Sequence, residues 1–86
     1  MTRGPDPKHS DGEILAVFQA SPDPVLFAQE IADALDTTRQ TVYSRCADLV
    51  EKGYLRTKKP GERSRIYWLT YEGERRLADD ASDANQ

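Results

Sequence analysis

Arg39, Gln40, Tyr43 and Ser44 fall within one short stretch of the chain, beside Thr38, Thr41 and Arg45. A guanidinium presents a planar fork of donors, a carboxamide pairs a donor with an acceptor, and a hydroxyl does both. Such groups suit the edges of nucleobases and the oxygens of phosphates. Further along come Lys58, Lys59, Arg63 and Arg65, cations suited to a polyanion. Residues 37–68 hold eight basic and three acidic residues, residues 1–36 hold two and seven, and residues 69–86 hold two and five. The net charge of −3 therefore conceals a basic block. A local positive face governs encounter with a polyanion whatever the overall sign.

Other chemistries find little support. Cys46 is the only cysteine, so an intrachain disulfide is excluded, which suits a reducing compartment. It lies on an apolar stripe with no cationic neighbour implied, and reads as an inert core thiol. His9 has no companion ligands at metal spacing. Ser10 and the nearby aspartates belong to an arm and a helix cap, and neither a phosphate loop nor a nucleophile–base pair is present. Neither an enzyme nor a bound metal or cofactor is expected. The N-terminus lacks the apolar stretch of a signal peptide, and no apolar run approaches the ~20 residues that span a bilayer. The expectation is a cytoplasmic protein without membrane contact. Asp outnumbers Glu nine to six and Arg outnumbers Lys eight to four, a bias similar to that of salt-adapted, halophilic proteomes.

The elements that must position these residues are legible in order. Eighty-six residues make one small domain. Residues 1–10 read as a disordered arm, 11–80 as the folded domain and 81–86 as a polar tail. Ser10-Asp11-Gly12-Glu13 is a capping box that starts a helix over 11–20, and Ser21-Pro22-Asp23-Pro24 ends it. Val25-Leu26 suits a two-residue strand. Phe27, Ile31, Ala34 and Leu35 recur at helical spacing. Thr38 caps a third helix over 39–52, on which Val42, Cys46, Leu49 and Val50 form one buried stripe and Gly53 is the stop. Strands over 55–58 and 65–69 flank the turn Lys59-Pro60-Gly61-Glu62-Arg63-Ser64, and Thr70 caps a last helix over about 71–80. Tyr67 and Leu69 facing the core would leave Ile66 and Trp68 to be covered, either by the last helix or by a second copy.

The segment from Ile31 to Leu55 resembles the helix-turn-helix core of winged-helix transcription regulators. The resemblance rests on Ile31-Ala32-x-x-Leu35, on Thr41-Val42-Tyr43, and on Leu49-x-x-x-Gly53-x-Leu55, which runs into the hairpin. Leu69-Thr70-x-x-Gly73 is similar to the region after the wing in the multiple-antibiotic-resistance-regulator (MarR) and phenolic-acid-repressor (PadR) groups. The salt-adapted composition adds a likeness to small haloarchaeal phage-repressor-like regulators. The resemblance spans about residues 12–80 and implies an α+β fold: a three-helix core, a β-hairpin wing and a C-terminal helix. The chain departs from the pattern at Asp36, where Gly is usual in the turn, at Phe27, where Ser or Thr would cap helix 2, and at Cys46, where Leu is usual. Asp tolerates the left-handed region, so the turn should survive.

Together these observations anticipate sequence-specific binding to double-stranded DNA by a transcriptional regulator. The third helix would enter the major groove with Arg39, Gln40, Tyr43 and Ser44 at base edges. Thr38 and Thr41 would meet phosphate, Arg45 belongs to the DNA-binding set, and Lys58, Lys59, Arg63 and Arg65 would follow the backbone or a minor groove. A homodimer on an inverted repeat is expected, paired through helix 1 and the C-terminal helix. The rival reading is a winged-helix protein-interaction module without base readout; binding to structured RNA is a third.

Overall fold

The computed structural model describes residues 9–62 and 64–84. Within them the order is α1 (Asp11–Ala20), β1 (Val25–Phe27), α2 (Ala28–Leu35), α3 (Arg39–Glu51), β2 (Leu55–Gly61), β3 (Ser64–Leu69) and α4 (Tyr71–Ala84). The expected arm over residues 1–8, the last two tail residues and Arg63 lie outside the described range. α4 continues to Ala84, past the end expected near residue 80. Its distal half contains no Gly or Pro, and Ala78, Ala81 and Ala84 favour the helix.

Local chemistry sets the helix ends. At α1 the Glu13 amide donates to Ser10 Oγ (3.1 Å) and the Ser10 amide donates to Glu13 Oε1 (2.8 Å), the reciprocal pair expected of the box. Phe27 has no side-chain acceptor to offer α2. Glu30 supplies the other half of such a box, accepting from the Phe27 amide at 2.8 Å. Asp36 takes the left-handed conformation (φ 56°, ψ 49°) that ends α2. The Thr37 amide then reaches Ala32 O (2.9 Å) and the Asp36 amide reaches Asp33 O (3.2 Å), closing a Schellman turn around a non-glycine residue. Gly53 (φ 86°) does the same for α3, with the Tyr54 amide on Leu49 O and the Gly53 amide on Val50 O, both 2.9 Å.

The strands form one antiparallel sheet in the order β1-β3-β2. Val25 stands opposite Trp68 and Phe27 opposite Ile66, while Arg56 pairs with Trp68 and Lys58 with Ile66. Leu26, Leu55 and Tyr67 turn to the core. There they meet Ile14, Leu15 and Phe18 of α1, Ile31 of α2, and Val42, Cys46 and Leu49 of α3. Leu77 anchors α4 to the same core. The other face of the sheet carries Val25, Phe27, Ile66 and Trp68; Val25 and Phe27 are exposed, whereas Ile66 and Trp68 are half-buried.

Candidate nucleic-acid interface

Burial of Val42, Cys46 and Leu49 fixes how α3 is rotated. That rotation leaves Arg39, Gln40, Thr41, Tyr43, Ser44 and Ala47 exposed. The N-terminus of α3 is exposed, with Thr38 as its cap. The Thr41 amide donates to Thr38 Oγ1 (3.1 Å), and Thr38 Oγ1 in turn donates to Thr41 Oγ1 (3.0 Å). The Thr38 proton is thereby engaged, while the Thr41 proton can still be given to an external acceptor. The first intrahelical bond runs from the Val42 amide to Thr38 O (3.1 Å), so the Arg39 and Gln40 amides precede the ladder and point outward. An anion meets amide donors, a hydroxyl and the positive end of the helix dipole at one place.

The wing cations divide between two faces. Lys59, Ser64 and Arg65 line a cleft of about 590 Å³ between α3 and the hairpin, together with Tyr43, Ala47 and Thr57. Arg65 is held on that side by a bond from Nη1 to Thr57 Oγ1 (3.1 Å), and Thr57 Oγ1 itself donates to Ile66 O (2.8 Å). Glu62 lies on the same cleft and offsets part of its positive charge. Lys58 lies elsewhere. Strand alternation carries it, with Arg56, to the opposite face of the sheet, where it borders a groove beside Ile66, Trp68 and Phe18. Ser64 was not singled out by sequence, because a lone serine in a turn carries no signal until the hairpin closes.

Arg45 also stands apart from the exposed face. Its Nη2 donates to Asp11 Oδ1 (3.0 Å) and its Nη1 to the His9 carbonyl (2.6 Å). Lys52 Nζ reaches the other oxygen of the same carboxylate, Asp11 Oδ2, at 2.7 Å. Hydrogen bonding from Lys52 lowers the Asp11 carboxyl below its ordinary range, with Arg45 adding to the effect and burial opposing it. Cys46 lies one residue away, and burial pushes its thiol up to about 12 against the opposing charge of Arg45. Tyr67, under the cleft, is likewise raised to about 12 by burial.

Similarity to known proteins agrees with this geometry. A family model described as MarR family matches residues 6–66. The chain belongs to the MarR family. Among solved structures, S. aureus MepR in its DNA complex aligns with a TM-score of 0.76 at 24% identity, covering 87% of this chain and 55% of MepR. The complex structure of hsRosR-S1 aligns at 0.75 and 24%, covering 86% of this chain and 69% of that one. A further MepR structure, described as a transcription regulator of the S. aureus multidrug efflux pump MepA, aligns at 0.73 and 25%, covering 84% and 53%. The chain thus spans about half the length of MepR, and what it shares with these structures is the α+β winged-helix fold. No curated protein matches the chain. Among the described residues no helix is long and apolar enough to cross a membrane.

Proposed function

We propose that this MarR-family chain is a cytoplasmic, sequence-specific DNA-binding transcriptional regulator. The carrying observation is the exposed first turn and a half of α3, where Arg39, Gln40, Tyr43 and Ser44 share one face beside a cationic cleft. In this reading α3 lies in the major groove, with Arg39 and Gln40 at base edges and Tyr43 and Ser44 alongside. Thr41 and the α3 amides take one phosphate, and Lys59, Arg65 and Ser64 take the next across the cleft. Arg63, which lies outside the described residues, is grouped with the wing contacts by its place in the sequence alone. This reading leaves out Arg45, which is held in its ion pair, and Lys58, which stands on the opposite face of the sheet.

A homodimer remains part of the proposal, because one helix reads only a few base pairs and a twofold partner doubles that reading. Each monomer already buries Ile14, Leu15, Phe18 and Leu77 in its own core. Among the described residues, the apolar surface that α1 and α4 offer for pairing therefore includes the exposed Ala16, Ala20 and Ala78, the half-buried Val17 and the 70% exposed Tyr71. The salt-adapted composition makes high salt the natural working condition.

The test is a selection of bound genomic fragments followed by titrations of the selected and a random duplex. Arg39→Ala and Gln40→Ala should each lose about 1–3 kcal/mol at the selected site and little on random DNA. Equal affinity of wild type for both duplexes at every salt concentration would favour the protein-interaction reading. Unchanged site affinity in both variants would move base readout off α3.

A further inference from the structure

Asp11 is the first residue of α1, yet its carboxylate holds two side chains of the α3 region, Arg45 at 3.0 Å and Lys52 at 2.7 Å. The Asp11 and Arg45 side chains are only 18% and 20% exposed, so water screens this contact less than it would a loose surface pair. The His9 carbonyl adds a second acceptor for Arg45, at 2.6 Å. The dipole of α1 favours a negative charge at this place, which keeps the carboxylate ionised. α3 with its C-terminal cap carries three cations, Arg39, Arg45 and Lys52. Among the described residues, Arg39 is the one of the three without an ion pair.

That distribution bears on selectivity. Cations that reach phosphates strengthen binding to every sequence alike, whereas base contacts strengthen binding to one. A recognition helix with three free cations would gain affinity for every sequence and so a smaller ratio of selected to random binding. We infer that Asp11 is a specificity-determining positioning residue: it withholds Arg45 and Lys52 from the DNA backbone, so that α3 meets DNA through Arg39 and its polar neighbours. The inference rests on the DNA-binding reading above and adds a residue of α1 to it. The same clamp ties α1 to the flank of α3, beside the buried stripe that sets the rotation of the recognition helix.

The experiment is a cycle of variants in the full chain, read as the slope of log affinity against log salt on random duplex DNA and as the ratio of selected to random affinity. Circular dichroism and thermal melts establish that each variant is folded. Asp11→Ala should bind random DNA more tightly than wild type, with a slope steeper by about 0.9 for each cation that gains a phosphate, and with a lower selectivity ratio. Asp11→Asn, which preserves size and the start of α1, should shift in the same direction. A merely structural role predicts weaker binding, so a gain on random DNA separates the two. Arg45→Gln with Lys52→Gln should leave the wild-type slope unchanged and should cancel the steepening in the Asp11→Ala background. Wild-type slopes in both Asp11 variants would overturn the inference, as would a flattened slope from the Arg45 and Lys52 changes alone. If wild type shows no salt-dependent DNA binding, the inference and the proposed function fall together; a normal wild-type slope with unmoved variants removes the inference only.

Discussion

Replacing Gly73 by alanine sets two effects of opposite sign against each other. Gly73 is buried in the first turn of α4, inside the Leu69-Thr70-x-x-Gly73 motif. Alanine is the better helix former by about 1 kcal/mol, so propensity alone predicts a more stable protein. A Cβ at this position, however, would overlap the Tyr54 carbonyl oxygen and stand 2.7 Å from Leu69 Cδ1. The carbonyl has little room to retreat, because it accepts the Thr70 amide at 3.1 Å while Thr70 Oγ1 donates to Gly53 O at 2.6 Å. Overpacking costs about 1–3 kcal/mol, and an obstruction made of anchored backbone belongs at the upper end. The net expectation is a loss of about 2 kcal/mol, which at about 4–8 °C per kcal/mol lowers the melting temperature by about 8–16 °C. Thermal melts followed by circular dichroism read this directly. Gly53 supplies the contrast: it has φ 86°, and a Cβ there would meet nothing within 4 Å, so alanine is opposed by conformation and not by contact. Asparagine, which tolerates the left-handed region, should recover most of the loss at position 53 and none at position 73. A Gly73→Ala protein melting at or above wild type, or a rescue by asparagine at 73, would refute the close-approach argument.

The division of the wing cations predicts that Lys59→Ala with Arg65→Ala flattens the salt dependence of DNA binding by about 0.9 per lost phosphate contact, whereas Lys58→Ala leaves the slope in place. A flattened slope in Lys58→Ala would put that side chain on the DNA. Raised pKa values in the core predict alkaline sensitivity. Cys46 ionises near 12 instead of 9.0, and Tyr67 near 12 instead of 10.0, so the folded state retains protons that the unfolded chain releases. Their contribution to stability is complete below pH 9.0 and is lost as the pH rises towards 12, so urea midpoints should fall over that interval. A midpoint that rises with pH would contradict burial of these groups. The same burial makes Cys46 inert to thiol reagents at about pH 8 until the protein unfolds; equal labelling rates with and without denaturant would count against it.

The local grammar of the chain was open to reading because its determinants are near in sequence. Ser10 and Glu13 close their box across one turn, Thr38 caps its own helix, and Gly53 and Asp36 end theirs through backbone conformation. The stripe of Val42, Cys46 and Leu49 fixes the rotation of α3 by periodicity alone, and with it the exposure of Arg39, Gln40, Tyr43 and Ser44. Lys58 was within reach of the same reasoning. Leu55 faces the core, and counting by twos from it puts Thr57 inward and Lys58 outward, on the face of Arg56. The basic block groups Lys58 with the other wing cations because composition registers charge and ignores the side of a strand, whereas the hairpin puts Lys58 on the face opposite Lys59 and Arg65.

Sequence by itself determined the element order, the helix caps, the buried stripe of α3 and the basic block, since each depends on residues a few positions apart and on the periods of helix and strand. Tertiary structure alone decided which cations of the α3 region are ion-paired. Arg45 occupies the flank of the buried stripe, where periodicity permits either solvent or a neighbouring helix. Asp11, 34 residues earlier, settles the matter by lying 3.0 Å from its guanidinium once α1 packs across the core. Likewise, no local pattern marks Gly73 as a point of contact with the Tyr54 carbonyl; that approach exists only when α4 seats against the junction of α3 and β2. Contacts of this kind join residues whose separation along the chain carries no periodic signal, and only the packed core brings them together.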